Sequence, residues 1–272
     1  MREILILRGK IDRIDDQLLK MINRRADLAI KIGREKSKQS GTSHFHVPHR
    51  EREIIQRLKE SNKGPFLDTS VEAVFREIFS ATLALEKPLK IAYLGPETTF
   101  THQAAIKQFG RGAEFLPHPS IDAVFEEVER GIVDYGVVPI ENSNEGVVNL
   151  TLDCFVDSPL LICDEIKMGI ALHLLSKVKS PKNIKTICSH PNPLAQCRNW
   201  LNRNWPNTKR VETSSTASAA EMAVRNKHTA AISGKLAAEY YGLNINLAKD
   251  SYKLSWTIRG PNKNHHLNHT YY

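Results

Sequence analysis

From Ile4 the apolar residues fall at Ile4, Leu7, Ile11, Ile14, Leu18, Met21, Leu28 and Ile32, in steps of three and four. That spacing predicts one long helix with an apolar seam. The series skips one member, because the position between Met21 and Leu28 that should be apolar is Arg25. After the polar stretch "SKQSGTSHFHVPH" a second helix is expected near "REREIIQRLKE", with Pro48 and His49 leading into it. A turn at "SNKGP" precedes a third helix from about Thr69 to Glu86, striped by Val71, Val74, Phe75 and Ile78.

Beyond the linker "LEKPLK" the pattern changes. "KIAYLGPETTFTHQAAIKQFG" reads strand, turn, helix; a helix covers Ile121 to Arg130; the strand "YGVVPI" runs straight into "ENSNEGVV". Further units follow around "IALHLLS", "KTICSH", "LAQCRNWL", "STASAAEMAV", "AAISG" and "KLAAEYYG". Strands alternating with helices predict an α/β architecture. The ending "LSWTIRGPNKNHHLNHTYY" has no apolar period. Residues 259–272 are expected to form a disordered tail, in which His265, His266 and His269 lack the rigid scaffold of a metal site.

Composition narrows this picture. A chain of 272 residues suits two domains, and 41% apolar with 25% charged residues is a soluble globular balance. The charge of +8 suits an anionic partner without choosing among nucleic acid, lipid or a small acidic metabolite. No helix–turn–helix or aromatic-interleaved basic patch supports nucleic acid. No apolar run approaches the roughly 18 residues of a membrane span, and no signal sequence is evident, so a cytoplasmic location is expected. Cys154, Cys163, Cys188 and Cys197 contain no C-x-x-C pair and are expected to be reduced core thiols, with no metal. Neither a phosphate loop nor a dinucleotide fingerprint is present, so no cofactor is expected.

Candidate chemistry starts with Arg25. A guanidinium does not lose its proton inside a protein, so on an apolar seam it needs an anionic partner. Lys36, eleven residues on, returns to nearly the same face at about 100° per residue, whereas Arg8 points about 100° away. If the helix pairs with a copy of itself, Arg8 serves the partner's site. Thr82 and Glu86 are i, i+4 neighbours on the third helix. Two cations and polar donors among apolar stripes suit a small dianion.

The pattern L-R-x-K-I-D-x-I-D, then R-R-x-x-L-A, G-x-x-K and P-x-R-E, over residues 5 to 86, resembles the all-helical class of chorismate mutase. The resemblance implies an intertwined homodimer through the N-terminal helices that rearranges chorismate to prephenate without a cofactor. It also implies that Arg8 of the partner subunit, Arg25 and Arg50 hold carboxylates or order the site. Lys36 then donates to the ether oxygen, Glu51 contacts the substrate hydroxyl, and Thr82 and Glu86 complete the set. A carboxyl facing an ether oxygen helps only when protonated, so mutase activity favouring mildly acid pH is expected unless the Glu86 pKa is raised. Val47 stands where an acidic residue is often found.

In the second region, polar residues gather where strands end and helices begin, the usual ligand position in such sheets. They are Thr99 and His102; Glu141, Asn142, Ser143 and Glu145; and His190, Gln196, Ser215 and Thr216. Ser214 and Ser218 read as helix caps. The segments "GPETTFTHQAA", "VPIENSNEGVVNLTLD", "SHPNPLAQCRNWL", "SSTASAA" and "AAISGKLAAEYYGL" are similar to prephenate dehydratase, with Thr98 where glycine is usual. That family implies two α/β lobes, like a periplasmic binding protein, and conversion of prephenate to phenylpyruvate, carbon dioxide and water. By resemblance Asn142, Ser143, Glu145, Gln196, Ser215 and Thr216 line the cleft, with Thr99 and His102 near an anion cradle at a helix start.

The fusion resembles the bacterial P-protein of phenylalanine biosynthesis, giving domains at 1–87 and 88–258. The family's T-R-F tripeptide, whose threonine is its candidate proton donor, is replaced by "KDSYKLSWTIRG", where Thr257 and Arg259 stand as the substitute. The regulatory ACT domain that ordinarily follows is not found. An active mutase, a weak or dead dehydratase and no phenylalanine feedback are therefore expected; the alternative is a mutase fused to a non-catalytic prephenate-binding module.

Overall fold

The computed structural model describes residues 2–40, 48–142, 146–179 and 183–259. It divides into two compact units, Met1–Leu89 with Phe109–Ala113, and Lys90–Gln108 with the chain from Glu114 onward.

The first unit is helical: α1 (Arg2–Ser40), α2 (Pro48–Ser61) and α3 (Asp68–Ala84). Among the described residues its buried apolar side chains are Ile55 of α2, Phe79 of α3 and Phe109. Glu72 ties α2 to α3, accepting from Lys59 of α2 and from Arg76 one turn along α3 at 3.1 Å. The seam of α1 is left open, with Ile11, Ile14, Leu18 and Met21 each more than half exposed. The third helix stops at Ala84 rather than reaching Glu86. Glu86 sits in the following turn, its amide bonded to the Leu83 carbonyl.

The second unit is built on one mixed sheet, nine-stranded among the described residues. Its strands are β1 (Lys90–Leu94), β2 (Glu114–His118), β3 (Tyr135–Asn142), β4 (Gly146–Val147), β5 (Leu161–Ser176), β6 (Thr186–Ser189), β7 (Lys209–Glu212), β8 (Thr229–Ser233) and β9 (Asn244–Arg259). The order is β2-β1-β3-β9-β5-β8-β6-β7, with β4 paired to β3. At one end β1 runs parallel to β2 and β3; at the other β6 runs parallel to β7 and β8. The two long strands β5 and β9 pair antiparallel between these halves.

Each half has its own core. α5 (Ile121–Glu129) presents Ile121, Val124, Phe125 and Val128, at helical spacing, to Ala92 and Val138 of the sheet. Ser120 starts that helix by accepting from the Ala123 amide. In the other half α9 (Thr216–Arg225) brings Ala219, Ala220 and Ala223 against Leu175, Cys188 and Ala231, joined by Ala237 and Ala238 of α10 (Lys235–Tyr241). The remaining helices are α4 (Phe100–Phe109), α6 (Asn149–Asp157), α7 (Pro191–Gln196) and α8 (Arg198–Asn204). None of the four cysteines forms a disulfide; Cys188 and Cys197 are buried. Among the described residues no helix is long and apolar enough to cross a membrane.

Candidate active sites

In the helical unit the structure gathers most of the expected residues into two adjoining groups. The first centres on Arg25 of α1. Its Nη1 donates to Thr82 Oγ1 of α3 at 3.2 Å, and Thr82 in turn donates to the Ile78 carbonyl at 2.6 Å. The guanidinium carbon lies 4.7 Å above the Phe79 ring, a cation–π contact that helps fix the fork. Burial lowers the Arg25 pKa from its ordinary value, opposed by the nearby Glu51 carboxylate of α2. A guanidinium held this way is poised to take a substrate carboxylate in two parallel hydrogen bonds.

The second group is Lys36, Gly33 and Glu86. Burial raises the Glu86 pKa, against the pull of the Lys36 and Arg34 cations. Its carboxyl lies where a side chain at position 33 would stand, so Gly33 is what admits it. Two expected members stay outside both groups. Arg8 is on α1, about 25 Å along the axis from Arg25, and Arg50 pairs with Glu53 on the exposed side of α2 at 3.0 Å. Gly33 and Phe79 were missed as participants. The signal for Gly33 was a glycine in mid-helix, which costs about 1 kcal/mol and needs a reason.

In the α/β unit a cleft of about 270 Å³ opens at the carboxyl ends of β1, β3, β6 and β7. One wall carries Leu94, Gly95, Thr99, Phe100, Thr101 and Asn142; the facing wall carries His190, Asn192, Gln196, Ser214, Ser215 and Thr216. Ile170 and Leu172 of β5 contribute apolar surface. Five of the eight expected prephenate residues therefore meet: Thr99, Asn142, Gln196, Ser215 and Thr216. Ser143 and Glu145 lie outside the described residues. His102 is at the helix start as expected but does not line the cleft; it is buried behind it, against Tyr93 and Phe115.

Local chemistry explains which groups face the opening. Thr99 caps α4, its Oγ1 accepting from the His102 amide and donating to the Leu94 carbonyl. Ser215 likewise caps α9, accepting from the Ser218 amide at 2.9 Å. The first-turn amides of α4 and α9 therefore turn toward the cleft with their helix-dipole positive ends, suited to carboxylates. Ser214, read from the sequence as a cap alone, bonds Ser218 and also lines the cleft. The expected donor Thr257 lies in β9, its backbone opposite Val137 and Asp164. Among the described residues no group of three or more His, Cys, Asp or Glu is placed to hold a metal.

The family described as Chorismate mutase type II matches residues 7–87, and Prephenate dehydratase matches residues 91–250. A bifunctional chorismate mutase/prephenate dehydratase of Aquifex aeolicus is 47% identical over 249 residues, covering 90% of this chain and 68% of that protein. The chain belongs to the bifunctional chorismate mutase/prephenate dehydratase family. A second bifunctional member, from Pseudomonas aeruginosa, is 44% identical over 89% of this chain and 67% of its own length. The solved prephenate dehydratase of Arthrobacter aurescens, in complex with L-Phe, is 31% identical, with a TM-score of 0.58 over 64% of this chain and 61% of that one. The dehydratase match ends at residue 250, inside β9 and short of Thr257.

Proposed function

We propose that the helical unit, as a homodimer, rearranges chorismate to prephenate, and that the α/β unit takes that prephenate into its cleft. The observation that carries the reading is the cleft itself, where five residues from four separate sequence segments line one cavity between helix starts. Its volume is near the lower end of the roughly 300–1,000 Å³ of ligand pockets, a size for one small metabolite. The place of action is the cytoplasm, and the product serves phenylalanine biosynthesis.

In the mutase step one bound molecule breaks its ether C–O bond as a C–C bond forms. No proton is gained or lost overall, and no cofactor takes part. Charge develops on the ether oxygen, where Lys36 and the protonated Glu86 carboxyl donate hydrogen bonds. Arg25, oriented by Thr82 and Phe79, holds one carboxylate, and Glu51 takes the substrate hydroxyl. Arg50 and Arg8 of the partner subunit complete the binding set. The exposed apolar seam of α1 supports the dimer, because an uncovered stripe of that length marks an interaction surface.

In the dehydratase step prephenate loses its ring carboxylate as carbon dioxide, and its ring hydroxyl leaves as water after taking one proton. The electron pair left by the carboxylate completes the aromatic ring of phenylpyruvate. Asn142, Gln196, Ser215 and Thr216, with Ser143 and Glu145, orient the dianion, and Thr257 stands in as proton donor. This step is slow here, because T-R-F is replaced by "SWTIR" at residues 255–259. Purified chain supplied with chorismate and prephenate in separate assays tests both parts. Rapid prephenate formation with little phenylpyruvate is expected. Phenylpyruvate formed as fast as prephenate would overturn the second part, and no prephenate at all would overturn the first.

A further inference from the structure

The turn between β1 and α4 contains a left-handed residue that is not a glycine. Thr98 has φ of 67°, a conformation that a β-branched residue rarely adopts. Its side chain does not hold it there: Thr98 is 1% exposed, and its Oγ1 has no hydrogen-bond partner. What holds the turn is the backbone amide, which donates to Nδ1 of His102 at 3.0 Å. His102 is itself fixed, stacked on Tyr93 with ring centroids 4.5 Å apart and 14° between planes, and tilted against Phe115. Burial pushes its imidazole below the ordinary value, against the pull of Glu97. Because Nδ1 accepts from the Thr98 amide, it carries the ring's lone pair, which leaves the ring proton on Nε2.

The same histidine closes the turn from the other side. Its own amide donates to Thr99 Oγ1 at 3.3 Å, the bond that caps α4. His102 thus grips two successive residues, and immediately beyond them Phe100 and Thr101 line the cleft. Backbone strain of this kind persists only where the surroundings over-determine it.

We propose that His102 is a positioning residue, whose Nδ1 holds Thr98 in its left-handed turn and thereby sets Thr99 and the first-turn amides of α4 against the bound substrate. The inference rests on the reading of the cleft as a prephenate site. It assigns His102 no contact with substrate, and it gives a reason why a chain with threonine at position 98 depends on this ring. Glycine would adopt the same turn without help.

The test compares three variants of the full chain: His102→Asn, His102→Gln, and Thr98→Gly combined with His102→Gln. Asparagine places an oxygen near the position of Nδ1, whereas glutamine reaches toward that of Nε2. Two quantities are read, the prephenate Kd by titration calorimetry and the hydrogen-exchange rate of the Thr98 amide. His102→Asn is expected to keep both within about threefold, and His102→Gln to worsen each by about tenfold, the loss of one buried hydrogen bond. The double variant is expected to recover the Kd to within about threefold. Equal damage by asparagine and glutamine would reduce His102 to a packing role and overturn the proposal, as would a double variant no better than His102→Gln. If His102→Gln does not fold, the double variant must fold, and its failure counts against the proposal. If the wild-type chain does not bind prephenate, the reading of the cleft falls, while the Thr98 exchange rates still decide the role of His102.

Discussion

Glu86 shows how a single carboxyl is tuned by what surrounds it. Its burial beside Gly33 raises its pKa, while Lys36 and Arg34 work in the opposite direction. Only the protonated form donates to an ether oxygen, so mutase kcat/KM falls as pH rises through the folded-state value of this group. Glu86→Gln, which donates at every pH, flattens that fall. Superimposable pH–rate profiles for the two proteins would remove Glu86 from the role of donor. The gap in the apolar series at Arg25 was legible from spacing alone, because a charge on a seam has no cheap explanation. The Phe79 ring beneath it was not, since which aromatic meets the guanidinium depends on how α3 packs against α1. His102 was legible as a residue of interest, but only the geometry separates a side chain behind a cleft from one inside it.

At the scale of elements, α2 and α3 are held together by Glu72 as well as by Ile55 and Phe79. The hydrogen bond from Lys59 first, and that from Arg76 after it, lower the Glu72 pKa against an opposing effect of burial. A carboxylate with a lowered folded-state pKa stabilises fully above its unfolded value and ceases to do so as pH falls through the folded one. Glu72→Gln is expected to lose about 0.5–1 kcal/mol at neutral pH, given the partial exposure of all three side chains. Urea midpoints of wild type and variant should differ at pH 7 and converge in acid; a gap that persists there would refute the account. Strand β5 was only half legible. "IALHLLS" stands out because its end is continuously buried, whereas the preceding residues from Glu165 alternate between exposed and buried. The strand covering 254–259 was missed, since its sequence carries no period and its place is set by neighbours far away in the chain.

For the molecule as a whole, the order of a helical unit followed by an α/β unit followed directly from the change of apolar period near residue 89. In the proposed homodimer, a second copy of the helix covers the α1 seam. Leu18, 54% exposed within one chain, lies midway along that seam. Leu18→Glu is expected to leave a monomer by sedimentation velocity, with mutase activity reduced at least tenfold and the prephenate Kd of the cleft unchanged within about twofold. A variant that remains dimeric and active would show that the seam is not the contact.

Strand β9 has a further consequence, which concerns time rather than space. Among the described residues it is the last strand of the sheet in chain order yet lies in its middle, and Gly136 of β3 pairs with Ile258 about 120 positions later. Until it arrives, β3 and β5 have no hydrogen-bonded connection, and each half must wait with an open edge. Pairing over such a separation is slow, and waiting edges invite the wrong partner. In refolding followed by pulsed hydrogen exchange, amides of β6 and β8 should gain protection first, and those facing the β3–β9 and β5–β9 seams together and last. Simultaneous protection throughout would mean that the two halves do not form independently. On this account the sheet is most open to wrong pairing just before β9 joins it.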